Sequence, residues 1–264
     1  MRDPLFEKLA ASKKYRDVCP DTIARILTEC RAKYRREKEI DKAAREKLHG
    51  VTAAFMTDAE YRRALEIAVR GGELAELMEC HASTRERLPL EETDAVYARL
   101  SGVSGESALD LACGLNPAYL QNRYPEMRVT GIDISGQCVR VLRSLGVDAR
   151  LGDLLTENAI PRERYSVALL FKILPLLDRQ SAGAARRILE SVNADALICS
   201  FPTRSLSGRN VGMAAHYAAW MRDQLPEKWR IERTVETDNE LYYVLKEKQD
   251  GEAVRGGDSH RESE

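Results

Sequence analysis

The chain has 264 residues, with 41 Lys and Arg against 42 Asp and Glu and a formal net charge of −1. That length holds one α/β core and an additional helical module, and the balanced charge excludes a protein that coats nucleic acid by bulk electrostatics, so any nucleic-acid site must be local. Six scattered cysteines, with no C-x-x-C pair and no histidine at metal spacing, predict reduced thiols and no metal. The amino terminus lacks the apolar core of a signal peptide and no run reaches the length of a membrane span, which predicts a cytoplasmic protein.

Residues 1–80 read as helices without strands. Asp21 is expected to cap a helix that carries Ile23, Ile26, Leu27 and Cys30 on one face, and Thr57-Asp58-Ala59-Glu60 has the form of a capping box. After the Gly71-Gly72 break, Leu74, Leu77, Met78 and His81 mark a further helix. Residues 11–50 hold twelve Lys and Arg against seven Asp and Glu, so positive charge is concentrated at the amino terminus.

From about residue 105 the pattern becomes short apolar runs separated by helices. Strands are predicted at 107–111, 128–133, 148–151, 165–171 and 196–201, one of the intervening helices carrying Ala185, Ile188, Leu189 and Val192. This alternation predicts a parallel sheet with right-handed crossovers. Two last strands, near 229–237 and 240–245, flank Asp238-Asn239 and are expected to form an antiparallel hairpin at one sheet edge. The tail, residues 249–264, is polar and predicted to be disordered.

The sheet signal contains a cofactor cradle. A strand ending in Asp110, a small-residue turn through Ala112 and Gly114, and a second strand ending in Asp133 match the way a doubly wound sheet holds a nucleoside. Asp133, about 20 residues past the turn, is placed to accept from ribose hydroxyls. Asn116-Pro117 stands where a dinucleotide enzyme wants a third glycine, which favours S-adenosylmethionine over NAD. Asp110 is expected to attract the sulfonium charge, or else to cap the following helix. Strand ends also bring Asp153-Leu154 and Phe171-Lys172 to the crevice, with the adenine expected near Asp153 and Leu154.

Between the helical and sheet parts, Ser83 and Glu86 have capping-box spacing, and Arg87 is expected to fork onto the cofactor carboxylate. The loop Phe201 to Met213, with Arg204, Arg209, three hydroxyls and two glycines, is either a contact for an anionic ligand or a solvated connection.

Lys13-Lys14-Tyr15, Leu48-His49, His81-Ala82-Ser83-Thr84-Arg85-Glu86-Arg87-Leu88, Cys113 to Pro117, Lys172 to Pro175, Phe201 to Arg209, Gly212-Met213 and Asn239-Glu240-Leu241 occur in that order. Together they resemble the aminoglycoside-resistance 16S rRNA guanine-N7 methyltransferases, the Arm/Rmt group, over nearly the whole chain except its tail. The resemblance implies an α/β fold, a Rossmann-like class I S-adenosylmethionine-dependent methyltransferase sheet with an N-terminal helical domain. It implies a ribosome-docking unit at 1–80 and a methyltransferase domain at 81–248.

The cofactor positions it implies are Phe55, His81, Ala82, Ser83, Arg87, Ala112, Asp133, Asp153, Leu154, Phe171 and Gln180. Lys172, Arg204 and Arg209 are its candidates for holding the target nucleotide, and Lys13, Lys14, Arg16, Arg31, Lys33, Arg35 and Arg36 join the two arginines as rRNA contacts. The implied partner of a monomeric enzyme is the 30S subunit, with N7 of guanine 1405 as target and gentamicin and kanamycin resistance as outcome. Three alternatives remain: a small-molecule methyltransferase, disfavoured by the basic helical module; an NAD-dependent oxidoreductase, which lacks the third glycine; and an RNA-binding protein with a decayed cofactor fold. A neighbouring adenine is an alternative target within the rRNA.

Overall fold

The computed structural model describes residues 3–52, 55–100, 103, 105–203 and 213–248, so the expected tail and the loop carrying Arg204 and Arg209 lie outside the described residues. Among the described residues seven helices precede the sheet: α1 (Pro4–Ala10), α2 (Pro20–Lys33), α3 (Glu37–Thr52), α4 (Asp58–Arg70), α5 (Leu74–Met78), α6 (Ala82–Arg85) and α7 (Leu90–Leu100). The capping box of α4 forms as predicted, Glu60 N donating to Thr57 Oγ1 at 3.2 Å and Thr57 N to Glu60 Oε2 at 2.7 Å, and Gly71 closes the helix at φ 68°. Three local expectations are corrected. Cys19 stands at the N-cap of α2 with Pro20 behind it, so Asp21 lies in the first turn. His81 is not part of α5 but precedes α6, and Ser83 and Glu86 make no capping box because each side chain is held elsewhere, by His81 and by Lys172.

The sheet part alternates β1 (Ser107–Leu111), α8 (Asn116–Arg123), β2 (Arg128–Asp133), α9 (Gly136–Ser144), β3 (Asp148–Leu151), β4 (Tyr165–Phe171), α10 (Leu174–Gln180), α11 (Ala184–Ser191) and β5 (Ala194–Pro202). It ends with α12 (Met213–Gln224), β6 (Trp229–Glu236) and β7 (Glu240–Glu247). The strand order is β3-β2-β1-β4-β5-β7-β6; β1 to β5 are parallel, and β7 runs antiparallel between β5 and β6. Successive residues of a strand face opposite sides, and the core follows that alternation. Ala108, Val167, Leu169, Ile198 and Val244 pack on one face, whereas Leu109, Ala168, Leu170, Cys199 and Leu245 pack on the other. All six cysteines are buried free thiols.

The helical part is not one unit. Leu5, Leu9, Ile23, Ile26, Leu27, Ile40 and Leu48 of α1 to α3 form a core of their own. Ala64 and Ile67 of α4, Leu77 and Met78 of α5, and Tyr97 and Leu100 of α7 instead join the core of the sheet's first face. Apolar packing therefore sets α1 to α3 apart, because α4, α5 and α7 bury their stripes against the sheet. A backbone seam ties the small core to the sheet. Val18 bridges Ser135 in antiparallel sense, Cys19 N donates to Ile134 O at 2.8 Å, and Gly136 N donates to Asp17 O at 2.6 Å. A Cβ at Gly136 would stand 2.9 Å from that carbonyl oxygen, so the approach needs glycine.

Candidate active site

A crevice of about 1150 Å³ opens where β1, β2 and β4 end, closed on one side by the segment around Lys13 to Val18 and by α2. Ten of the eleven expected cofactor positions line it: Phe55, His81, Ala82, Ser83, Ala112, Asp133, Asp153, Leu154, Phe171 and Gln180. Lys13, Lys14 and Lys172 line it as well. Arg16 is an exposed neighbour at 3.6 Å from Asp17, while Arg31, Lys33, Arg35 and Arg36 are exposed on the end of α2 and the connection to α3, outside the lining.

The cradle is built by backbone strain and small residues. After β1 the chain passes through left-handed conformations at Ala112 (φ 57°) and Gly114 (φ 53°), and after β4 at Lys172 (φ 56°). Non-glycine residues in this region are uncommon and cluster at functional sites. Asp133 Oδ2 accepts from Gly114 N and Oδ1 from Ser135 N, both at 2.8 Å, which fixes the carboxylate and leaves it further acceptor capacity. Burial pushes its pKa up from the usual carboxylate value against the backbone N–H groups of Gly114, Ser135 and Ile134. A Cβ on Gly114 would lie 2.6 Å from His81 Cε1, so the glycine lets the imidazole close over the turn.

His81 is 5% exposed, stacks on Phe55 at 5.8 Å with 9° between the rings, and shares a 3.0 Å hydrogen bond with Ser83 Oγ through Nδ1. Burial, with Arg87 and Lys172 adding to it, lowers its pKa to about 4, so the ring is neutral at physiological pH. On the other side, Asp153 Oδ1 accepts from Leu155 N at 2.9 Å and Oδ2 from Arg25 Nε at 2.9 Å, with Leu154 buried beside it.

Two expected ligand contacts fall behind the wall. Arg87 does not line the crevice. Its guanidinium donates to Glu240 Oε1 at 3.3 Å and to Asn116 Oδ1 at 3.1 Å, and lies 4.5 Å from the ring centre of Phe171. The fork expected on the cofactor carboxylate is thus engaged with Glu240, which also accepts from Ser200 Oγ and lies 4.0 Å from Lys172 Nζ. Burial opposes ionisation of Glu240, but Arg87 and Lys172 outweigh it and hold its pKa below the usual value.

Asp110 is 1% exposed and not in the lining. It neither meets the crevice nor caps α8; Asn116 Nδ2 donates to its Oδ2 at 2.6 Å, and burial pushes its pKa up to about 7. Arg25, Glu240 and Asn116 had no assigned role in the sequence. The signal for Arg25 was its place beside the buried stripe of α2, paired with Glu29 at i+4.

The family model for ribosomal RNA methyltransferase (FmrO) matches residues 11–244. The chain belongs to this family. A 16S rRNA (guanine(1405)-N(7))-methyltransferase of Serratia marcescens is 40% identical over 245 residues, covering 90% of this chain and 95% of that protein. One from Frankia casuarinae is 33% identical over 268 residues, covering 92% and 93%. Among solved structures, the 16S rRNA methyltransferase RmtF in complex with S-adenosyl-L-homocysteine aligns with a TM-score of 0.82 at 38% identity, covering 94% of this chain and all of that one. The 16S rRNA methylase RmtB aligns at 0.81 and 36%, covering 92% and 97%.

The crevice of this FmrO-family enzyme fits S-adenosylmethionine. Asp133 retains acceptor capacity of the kind a ribose diol needs, and Asp153 with Leu154 has the acceptor and the apolar face that suit an adenine. Pro117 in the first turn of α8 removes one of the N–H groups a diphosphate would use. At about 1150 Å³ the crevice exceeds the roughly 300–1,000 Å³ of a site for one small ligand, which leaves room for a base beside the cofactor. Among the described residues no group of His, Cys, Asp and Glu forms a metal site, and no helix is long and apolar enough to cross a membrane.

Proposed function

We propose that this methyltransferase modifies N7 of guanine 1405 of 16S rRNA in the assembled 30S subunit, acting as a cytoplasmic monomer and conferring resistance to gentamicin and kanamycin. The observation that carries the reading is the 40% identity across 90% of the chain to an enzyme of that specificity, together with a crevice lined by ten of the expected cofactor positions. When bound, S-adenosylmethionine supplies a methyl carbon on a cationic sulfur, whose transfer to a nitrogen lone pair leaves S-adenosylhomocysteine.

Guanine N7 carries no proton, so the enzyme needs no general base, and its residues act by alignment. Asp133 and Asp153 orient the nucleoside, while neutral His81 against Phe55 closes the crevice from water without adding a positive charge beside a sulfonium. N7 faces the deep groove of A-form RNA, so the base must leave its stack to be reached. Lys172 at the crevice wall, with Arg204 and Arg209 of the loop beyond the described residues, holds the displaced nucleotide or its phosphates. Lys13 and Lys14 at the crevice, then Arg16, Arg31, Lys33, Arg35 and Arg36, meet rRNA phosphates with the α1 to α3 unit. A methylated N7 loses an acceptor and gains positive charge, which repels the ammonium groups of aminoglycosides.

The test is incubation of the protein with labelled S-adenosylmethionine and either intact 30S subunits or naked 16S rRNA, followed by mapping of the modified nucleotide. Label at N7 of guanine 1405 on the subunit alone is expected. No transfer to either substrate overturns the reading, and label on a neighbouring adenine reassigns the target.

A further inference from the structure

We propose that Arg25, on helix α2 of the N-terminal unit, is a positioning residue for the cofactor, holding together the two sides of the adenine subsite. The inference rests on the placement of the adenine at Asp153. Asp153 follows β3 and Gln180 ends α10, so two separate elements supply them. A single guanidinium spans both. Arg25 Nε donates to Asp153 Oδ2 at 2.9 Å, one terminal nitrogen donates to Gln180 Oε1 at 3.1 Å, and the other donates to Glu29 Oε1 at 2.8 Å on its own helix. The planar fork of arginine suits three fixed acceptors, which a lysine's single ammonium cannot meet in the same plane.

The geometry leaves the subsite usable. A carboxylate has about four lone-pair positions, and Asp153 spends one on Arg25 and one on Leu155 N. The remaining ones are oriented by those two donors, available to an exocyclic amine. Asp153 is 2% exposed, so without Arg25 its charge would face the crevice with no cationic partner among the described residues. A buried carboxylate in that condition rotates toward other donors, which spoils it as an acceptor. Arg25 itself lines the crevice, so its effect reaches the ligand through neighbours it touches directly. The α2 helix thereby contributes to cofactor affinity although it belongs to the separate small core.

The experiment compares binding of S-adenosylhomocysteine and its 6-deamino analogue, which lacks the amine, by calorimetry on the full chain. Wild type is expected to favour the amine-bearing ligand by about tenfold, the scale of one hydrogen bond to a charged acceptor. Arg25→Met should weaken S-adenosylhomocysteine by about tenfold and bring the ratio of the two ligands near one. Arg25→Lys, which keeps the charge but not the fork, should restore part of the ratio and serves as the decisive variant if the methionine variant does not fold. A merely structural role weakens both ligands equally, so a wild-type ratio in both Arg25 variants overturns the proposal. Asp153→Ala separates the two levels: loss of the ratio there with retention in both Arg25 variants sinks only the positioning role, whereas retention in Asp153→Ala sinks the adenine placement itself.

Discussion

Replacing Glu240 by Gln removes one negative charge from a place where two positive charges depend on it. Arg87 is 9% exposed and pairs with Glu240 at 3.3 Å, and Lys172 Nζ lies 4.0 Å from the second oxygen. At an effective dielectric of about 20, unit charges about 4 Å apart attract by roughly 4 kcal/mol. The carboxylate's own desolvation offsets part of the two attractions, but the glutamine leaves Arg87 buried without a counter-charge, and breaking one side of such a pair costs about 3–5 kcal/mol. Lys172 retains Glu86, so most of the loss is borne at Arg87. Against a typical stability of about 5–15 kcal/mol this is a large fraction. Urea denaturation followed by far-UV circular dichroism should show the midpoint falling with the slope unchanged. The paired variant Arg87→Met with Glu240→Leu should recover most of the loss, since apolar replacement of a whole buried pair is often neutral. A loss below about 1 kcal/mol in Glu240→Gln, the range of an exposed pair, would refute the reasoning.

His81 titrates near 4 in the fold against 6.5 as a free side chain, so only the unfolded chain gains a proton as pH falls between those values. Stability present above pH 6.5 should therefore drain away toward pH 4 by about 3 kcal/mol from this group, and urea midpoints across that window for wild type and His81→Gln should diverge at neutral pH and converge in acid. Gly114→Ala places a methyl 2.6 Å from the His81 ring on a residue at φ 53°, and calorimetry should find cofactor affinity reduced by about tenfold or more, roughly 1.4 kcal/mol; unchanged affinity would mean that the imidazole moves freely. Lys172→Met should lower methylation of 30S subunits by about a hundredfold while cofactor dissociation stays within about threefold; equal loss of both would place Lys172 on the cofactor instead. Lys13→Ala with Lys14→Ala should weaken subunit binding and reduce the slope of log affinity against log salt by on the order of 1 to 2, read by filter binding at several salt concentrations.

Much of this architecture was legible because its signals are local. The short apolar runs predicted β1 to β4 at their observed bounds, and the Thr57 box and the turn through Gly114 are spelled out within a few residues. Local pattern has no access to partners far along the chain. Arg87 reads as a ligand fork until Glu240, 153 residues later, is folded against it, and Arg25 carries no signal of its own until Asp153, 128 residues later, arrives. The packing of α4 and α5 against the sheet escaped the sequence for a related reason. An amphipathic stripe announces that a helix will be buried without naming the core that buries it, and α4 and α5 carry the same kind of stripe as α2. β5 ran longer than predicted because Ala194 finds a partner in Tyr165 of β4 and Pro202 finds one in Glu240 of β7.

The strand order carries a consequence for how the protein is made. Among the described residues β7 is the last element to be synthesised, yet it lies inside the sheet, with β5 on one side and β6 on the other. Until residues 240–247 emerge, β5 presents a free hydrogen-bonding edge and the hairpin partner β6 has no sheet to join. A nascent chain halted anywhere before Glu240 therefore exposes an apolar edge to its neighbours on the same message and lacks the carboxylate that neutralises Arg87. Completion of the final strand seals the edge and supplies the buried charge in one event. A premature stop only 25 residues from the end of the 264-residue sequence is thus expected to yield aggregate rather than a slightly shortened enzyme.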